Sequence, residues 1–268
     1  MYLSNIEAFD LLSAAKRQRR VLFALMLRNI RTRFFGNGLG YLVGIAWPLT
    51  HILILVGLFV FTGRTAPYGD STVLFIATGV VPYMIFSYLA RMTMLSVMKA
   101  RPLLAFPEVK VLDVLLAAAF LEILAAACVT IVLILIAWFA GVDVMPRDVG
   151  QAAYAFGAIV LLGFGFGLTN SAIALAAPSW FTGYILINIL LWVSAGVFFV
   201  PDAMPQVLRE ALAYQPVLQV IEWTRSAYYE GYGGLVLDRR YVIGVGIGGV
   251  FLGLFLERAM RGHLLAKR

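Results

Sequence analysis

One cysteine, two histidines and 14 acidic residues are all that 268 positions supply, and each scarcity removes a class of function. Cys128 stands alone inside an apolar block, so no intrachain disulfide can form. His51 and His263 with that single thiol compose no convincing metal site. No Gly-x-x-x-x-Gly-Lys-Ser/Thr stretch occurs, which excludes ATP hydrolysis by a phosphate loop in this chain. No Ser, His and Asp set looks assembled for nucleophilic catalysis, and neither a bound cofactor nor a nucleic-acid partner is expected. Charge itself is scarce, at 13% of residues against 62% hydrophobic, with a mean hydropathy of +0.91. That balance belongs to a polytopic membrane protein. Period-two alternation is absent and the apolar blocks are too long for barrel strands, so the chain is expected to be an all-α integral membrane protein of one domain, residues 1–268.

What is present begins with a basic, amphipathic lead-in. Residues 11–35 are read as a helix on the membrane surface, with Leu22, Met26, Ile30 and Phe34 as an i, i+4 apolar row and Lys16, Arg17, Arg19, Arg20, Arg28, Arg31 and Arg33 as the charge that anionic headgroups attract. A Gly-rich corner, Gly36, Asn37, Gly38 and Gly40, follows. From Tyr41 to Thr62 no formal charge interrupts the chain, enough to cross a hydrocarbon core of about 30 Å. Glu7 and Asp10 precede the basic cluster, no cleavable signal pattern is seen, and the N-terminus is expected to stay in the cytoplasm.

Apolar blocks at about 41–62, 72–90, 112–140, 152–177, 184–200 and 241–257 predict six transmembrane helices, an even number that puts both termini on one side. The basic residues at both ends of the chain, together with Arg91, Lys99, Arg101 and Lys110, fall on that side. Only Arg64, Arg147, Arg209, Arg225, Arg239 and Arg240 fall opposite, so the positive-inside bias makes the terminal side cytoplasmic. The 91–110 loop, with Pro102 and Pro107, holds only short helical pieces and either fixes topology or docks a soluble partner.

After the fifth block the pattern changes. Residues 201–232 mix apolar and polar residues at helical spacing around Pro216, which predicts a re-entrant helical hairpin between helices 5 and 6 on the external side, lining a path rather than facing lipid. Glu222 and Arg225, three apart, are expected to form an exposed local ion pair of about 0 to 1 kcal/mol. Aromatics gather at Trp47 and Phe59, at Trp192, Phe198 and Phe199, and at Trp223, Tyr228, Tyr229 and Tyr232 in the hairpin. Membrane-interface belts account for some of them, and flat faces for stacking sugar rings for others. Within the last block, Gly244, Gly246 and Gly249 match a dinucleotide fingerprint by letter. Inside a continuous apolar helix, small residues at Gly244 and Gly248, and at Gly249 and Gly253, instead predict close helix packing, as do Gly163, Gly165 and Gly167. Glu122 and His51 are isolated ionisable groups within spans, read as a polar bond between helices, or a span boundary nearer Glu122, rather than a proton relay.

Three stretches carry a family resemblance. Thr32 to Phe34, Leu39 to Leu42 and Trp47-Pro48 form a basic-led entry pattern; Phe198-Phe199 with Pro201 and Pro205 closes the fifth block; and Gln215-Pro216 to Tyr232 contains Ile221-Glu222-Trp223, Arg225 and a Tyr pair. In these the chain resembles an ABC-2 type transport permease, in particular the capsular polysaccharide export branch, with Gln215 where the family usually has Asn. The resemblance implies a homodimer in a bacterial inner membrane with a periplasmic hairpin. It also implies a separate ABC ATP-binding subunit holding ATP and Mg, and export partners in the periplasm or outer membrane. A lipid-linked polysaccharide would pass along Trp47, Phe59, Trp192, Phe198, Phe199, Trp223, Arg225, Tyr228, Tyr229 and Tyr232. Arg28, Arg31, Arg33, Lys99 and Arg101 would couple to the ATPase. Related permeases export O-antigen or teichoic acid. An ion channel or proton-coupled carrier, or an intramembrane sugar-modifying enzyme, is the rival reading from another class.

Overall fold

In hydrocarbon an apolar chain must satisfy its own backbone, and a helix does so within one segment. The computed structural model describes residues 2–32, 39–233 and 235–266, with side chains described from 13 to 259, and among these it is helical without strands. Arg33, Phe34 and the corner residues Gly36 to Gly38 lie outside the described residues, as do Lys267 and Arg268. In chain order the helices are α1 (Tyr2–Thr32), α2 (Leu39–Phe61), α3 (Thr72–Lys99), α4 (Val111–Phe139), α5 (Val149–Ala176), α6 (Trp180–Ser194), α7 (Gln206–Ala213), α8 (Pro216–Tyr228) and α9 (Arg239–Ala266).

Side chains mark where several of these start. Ser71 accepts from the Leu74 amide to cap α3, Asp148 from Gln151 to cap α5, and Gln215 from Leu218 to cap α8, where Pro216 occupies the first helical position. Five helices are long and apolar enough to cross a membrane: α2, α3, α4, α5 and the Arg239–Ala259 part of α9. The apolar block at 184–200 behaves differently. Its helix, α6, begins earlier at Trp180 and stops at Ser194, and its 15 residues span about 22 Å, short of a hydrocarbon core. Gly196, at φ +75°, then turns the chain into an irregular stretch through Val200.

The interior is α3 and α5, with α9 and α8 laid against them. Glycines set the distances. A Cβ on Gly165 would come within 2.9 Å of the Gly246 carbonyl oxygen and the Val250 amide, and one on Gly253 within 2.4 Å of Leu168 Cβ, so α5 and α9 touch backbone to backbone. Gly163 and Gly167 turn the other way, toward Leu89 and Thr93 of α3. The packing row on α9 is therefore Gly246, Gly249 and Gly253; Gly244 and Gly248 meet nothing within 4 Å. The letter match to a nucleotide fingerprint is a helix seam, as its apolar setting predicts.

α1 starts well before residue 11, and its central row faces protein. Leu25 is buried with Leu22 and Met26 against Val97, Val114 and Leu115 at the ends of α3 and α4, while Phe23 and Leu27 stay exposed on the opposite side. α2 lies at the periphery, with only 11% of its apolar window buried, and so presents most of its surface outward.

Candidate functional site

The hairpin of α7 and α8 is tied down by one arginine. α8 inserts against α3 and α5, so Arg225 is fully buried. Nη1 donates to the carbonyls of Gly196 at 2.8 Å and Phe199 at 3.1 Å, and Nη2 to that of Val197 at 2.8 Å. The guanidinium carbon lies 3.9 Å from the centre of the Phe75 ring. The irregular backbone after α6 therefore has its carbonyls satisfied by a cation from α8, as backbone without a helical ladder requires at depth.

Glu222 sits 3.5 Å from Nη1 of Arg225, and its carboxylate accepts from the Tyr232 hydroxyl at 2.8 Å. Both partners of the ion pair are buried, at 0% and 1% side-chain exposure, which corrects the expectation of an exposed pair of little consequence. Burial pushes the Glu222 carboxyl up to about 7, against the opposing pull of Arg225 and the Tyr232 hydroxyl. Burial also raises the Tyr232 phenol and takes Tyr229 to about 12.

The proposed pathway residues divide into groups. Phe59 of α2 stacks on Phe198 with centroids 5.1 Å apart and planes 6° from parallel. Trp192 of α6 meets Phe198 edge-on at 5.5 Å and Tyr83 of α3 at 4.4 Å. Tyr229 and Tyr232 form a second cluster with Tyr68, which stands 5.4 and 4.8 Å from them. Trp223 is buried, donating from Nε1 to Gln151 of α5 at 2.8 Å, with the Arg239 guanidinium 5.7 Å from its ring. Phe199 is half-buried and contributes its carbonyl to Arg225. Tyr228 is half-buried at the end of α8, and Trp47 stands apart on α2, 67% exposed.

At the other end of the bundle, Arg28 Nη2 donates to the Lys99 carbonyl at 3.4 Å, and Arg101 opens the exposed turn Arg101–Ala105. Gln18 bonds the buried Asp113 carboxylate, whose other oxygen accepts from the Lys110 amide at 3.0 Å. Arg28, Lys99 and Arg101 thus share one end of the bundle with the exposed Arg31, and Arg33 lies outside the described residues.

Uncharged amides were the residues that sequence reasoning missed. Buried Gln219 donates to the Ala213 and Val236 carbonyls, both at 2.7 Å, and accepts from the Asp238 amide at 2.7 Å, joining α7, α8 and the approach to α9. Asn188 of α6 accepts from Tyr83 through its carbonyl at 2.6 Å and shares bonds with Ser87. A polar amide in an apolar run was the available signal. Among the described residues no group of three His, Cys, Asp or Glu could hold a metal, and His51 is exposed on α2. Glu122 is buried on α4, beside a small cavity that Gly44 and Pro48 of α2 also line.

No family model matches the chain. It is nonetheless a homologue of inner-membrane proteins of known designation. It is 29% identical over 249 residues to the polysialic acid transport protein KpsM of Escherichia coli, covering 92% of this chain and 96% of that protein. It is 27% identical over 216 residues to the capsule polysaccharide export inner-membrane protein CtrC of Neisseria meningitidis, 79% of this chain and 80% of CtrC. To the capsule polysaccharide export inner-membrane protein BexB of Haemophilus influenzae it is 26% identical over 232 residues, 82% of this chain and 86% of BexB.

Proposed function

We propose, from its homology to capsule polysaccharide export proteins of the inner membrane, that this chain is the permease subunit of an ABC exporter for a lipid-linked capsular polysaccharide. It acts as a homodimer driven by a separate ATP-binding subunit, which holds the ATP and Mg. The observation that carries the reading is similarity along most of both chains with KpsM, CtrC and BexB. α6 serves as the sixth span, its shortness made up by the buried hairpin that Arg225 fastens to its end. Both termini are cytoplasmic, and the α7–α8 hairpin re-enters from the periplasmic side.

Two surfaces fit the partners. Leu42, Trp47, Ile54 and Leu58 of α2 and Leu186, Leu190 and Val193 of α6 leave apolar faces uncovered within one protomer, and a second copy would cover them around a shared route. Arg28, Arg31, Lys99 and Arg101 form the cytoplasmic contact for the ATPase, and Phe59, Trp192 and Phe198 offer aromatic faces where the sugar chain emerges. Periplasmic or outer-membrane export proteins would receive it. The test is co-purification of the tagged chain from its native membrane together with capsule display on the cell surface. The expected result is an ABC ATP-binding subunit in the eluate and loss of capsule when that subunit's catalytic glutamate is replaced. Polymer export that continues without nucleotide turnover would reject the reading in favour of an autonomous carrier.

A further inference from the structure

Two cavities at the hairpin end of the bundle share a wall and differ in chemistry. The lower, about 360 Å³, lies between α2, α3, α4, α5 and α8 and is bounded almost wholly by hydrocarbon. Its threonines do not make it polar, because Thr78, Thr130 and Thr224 bond back to carbonyls of their own helices, those of Phe75, Ala126 and Val220. Leu53 of α2 with Ile134 and Ile136 of α4 line it and are also 38 to 41% exposed, so it opens sideways through the apolar surface of the spanning helices. The upper one, about 630 Å³, is an open groove of mixed lining in which Arg64, Asp70 and Asp143 are exposed beside Ser71 and Thr72. Val73 and Val142 belong to both.

A groove bearing charged groups, set over an apolar chamber that opens toward hydrocarbon, has the plan of a phospholipid site. The charges select among headgroups. Arg64 has no carboxylate within ion-pair distance among the described residues and its guanidinium rests 5.5 Å from the Phe59 ring. Asp143 has one oxygen engaged by the Met145 amide. One cation and two carboxylates suit a headgroup with a phosphate and an ammonium. A purely anionic headgroup would place its only charge beside Asp70 and Asp143. The Tyr228 hydroxyl makes no hydrogen bond among the described residues and borders the lower chamber, where it can donate to an ester carbonyl.

We infer that this groove and the chamber beneath it form a binding site for a zwitterionic aminophospholipid of the surrounding leaflet, with an acyl chain below and the phosphoethanolamine head between Arg64, Asp70 and Asp143. The inference does not depend on which polymer the chain carries. The lipid would brace the loop after α2 against the loop after α4.

The test uses the full chain in nanodiscs holding equal amounts of phosphatidylethanolamine and phosphatidylglycerol, followed by gentle release and native mass spectrometry of retained lipid. Phosphatidylethanolamine is expected to be retained over phosphatidylglycerol by about tenfold, the order of one charge-assisted hydrogen bond. Arg64→Ala should lower retention of both lipids, and Asp70→Asn with Asp143→Asn should abolish the preference between them. Ala77→Phe from α3, or Ala137→Phe from α4, should fill the lower chamber and release the lipid, each scored on protein with unchanged helical content. Absence of retained lipid, equal retention of the two headgroups, or an unchanged preference in the carboxamide variant would overturn the proposal. So would retention of a lipid only when the chain is prepared from cells making the polymer, which would assign the site to the anchor of the cargo.

Discussion

Arg225 of α8 and Phe75 of α3 face one another with the guanidinium carbon 3.9 Å from the ring centre, and the same guanidinium holds three carbonyls of the segment that follows α6. One side chain thereby joins three parts of the chain far apart in sequence. Removing it strands a buried carboxylate and three acceptors together.

Arg225→Ala is accordingly expected to destabilise the protein by about 3 to 5 kcal/mol, the range for breaking a buried ion pair. Membrane abundance and thermal unfolding in detergent should both fall. Adding Glu222→Gln should recover part of the loss. If Arg225→Ala keeps normal abundance while export stops, Arg225 belongs to the route rather than to the scaffold.

The raised carboxyl of Glu222 gives stability a pH slope of definite sign. The folded group releases its proton at about 7 and the unfolded one at 4.5. Between those values the folded state binds more protons, so stability falls as pH rises through that window and is level above it. Unfolding midpoints from about pH 4.5 to 8 should show this decline, and Glu222→Gln should flatten it. A slope of the opposite sign would mean that Arg225 keeps the carboxylate ionised throughout.

The α5–α9 seam predicts a contrast between glycines on one helix. Gly253→Ala places a methyl 2.4 Å from Leu168 Cβ and should cost about 1 to 3 kcal/mol as the helices part. Gly244→Ala meets nothing within 4 Å and should be neutral or stabilising by about 0.5 to 1 kcal/mol. Thermal unfolding of the two variants in the same detergent decides it; equal losses would place a further contact on the Gly244 face.

Phe198→Ala separates stacking from scaffolding. Its ring touches Phe59 and Trp192 and is half-buried, so loss of the two aromatic pairs should cost about 0.5 to 1.5 kcal/mol each beyond the apolar area lost, and some fall in abundance is expected. Export of polymer, scored by surface capsule, is expected to drop well beyond that. Trp223→Phe should do the reverse, lowering abundance through the lost bond to Gln151 while export per molecule is kept.

Long apolar runs made most of this architecture readable, because length and hydropathy are local properties. α2 to α5 and α9 lie where the blocks at 41–62 and onward predict them. α6 was harder, since its end is set by Gly196 and by carbonyls that a distant arginine satisfies. The Glu222–Arg225 spacing announces a pair, yet three residues on a helix do not say whether water reaches them; the answer comes from Phe75 and Val197, far away in the chain. Likewise the four-residue glycine spacing points to a seam without saying which glycines face it. Gln219 and Asn188 leave no mark in a linear string, because an isolated amide shows no partner there.

Where α5 and α9 meet at Gly165 and Gly249, main-chain atoms face main-chain atoms with little slack between them. Sliding one past the other would drive main-chain atoms together, so these helices travel as a single rod. A fluorophore carried on α9 is therefore expected to keep a fixed distance from one on α5 under every condition.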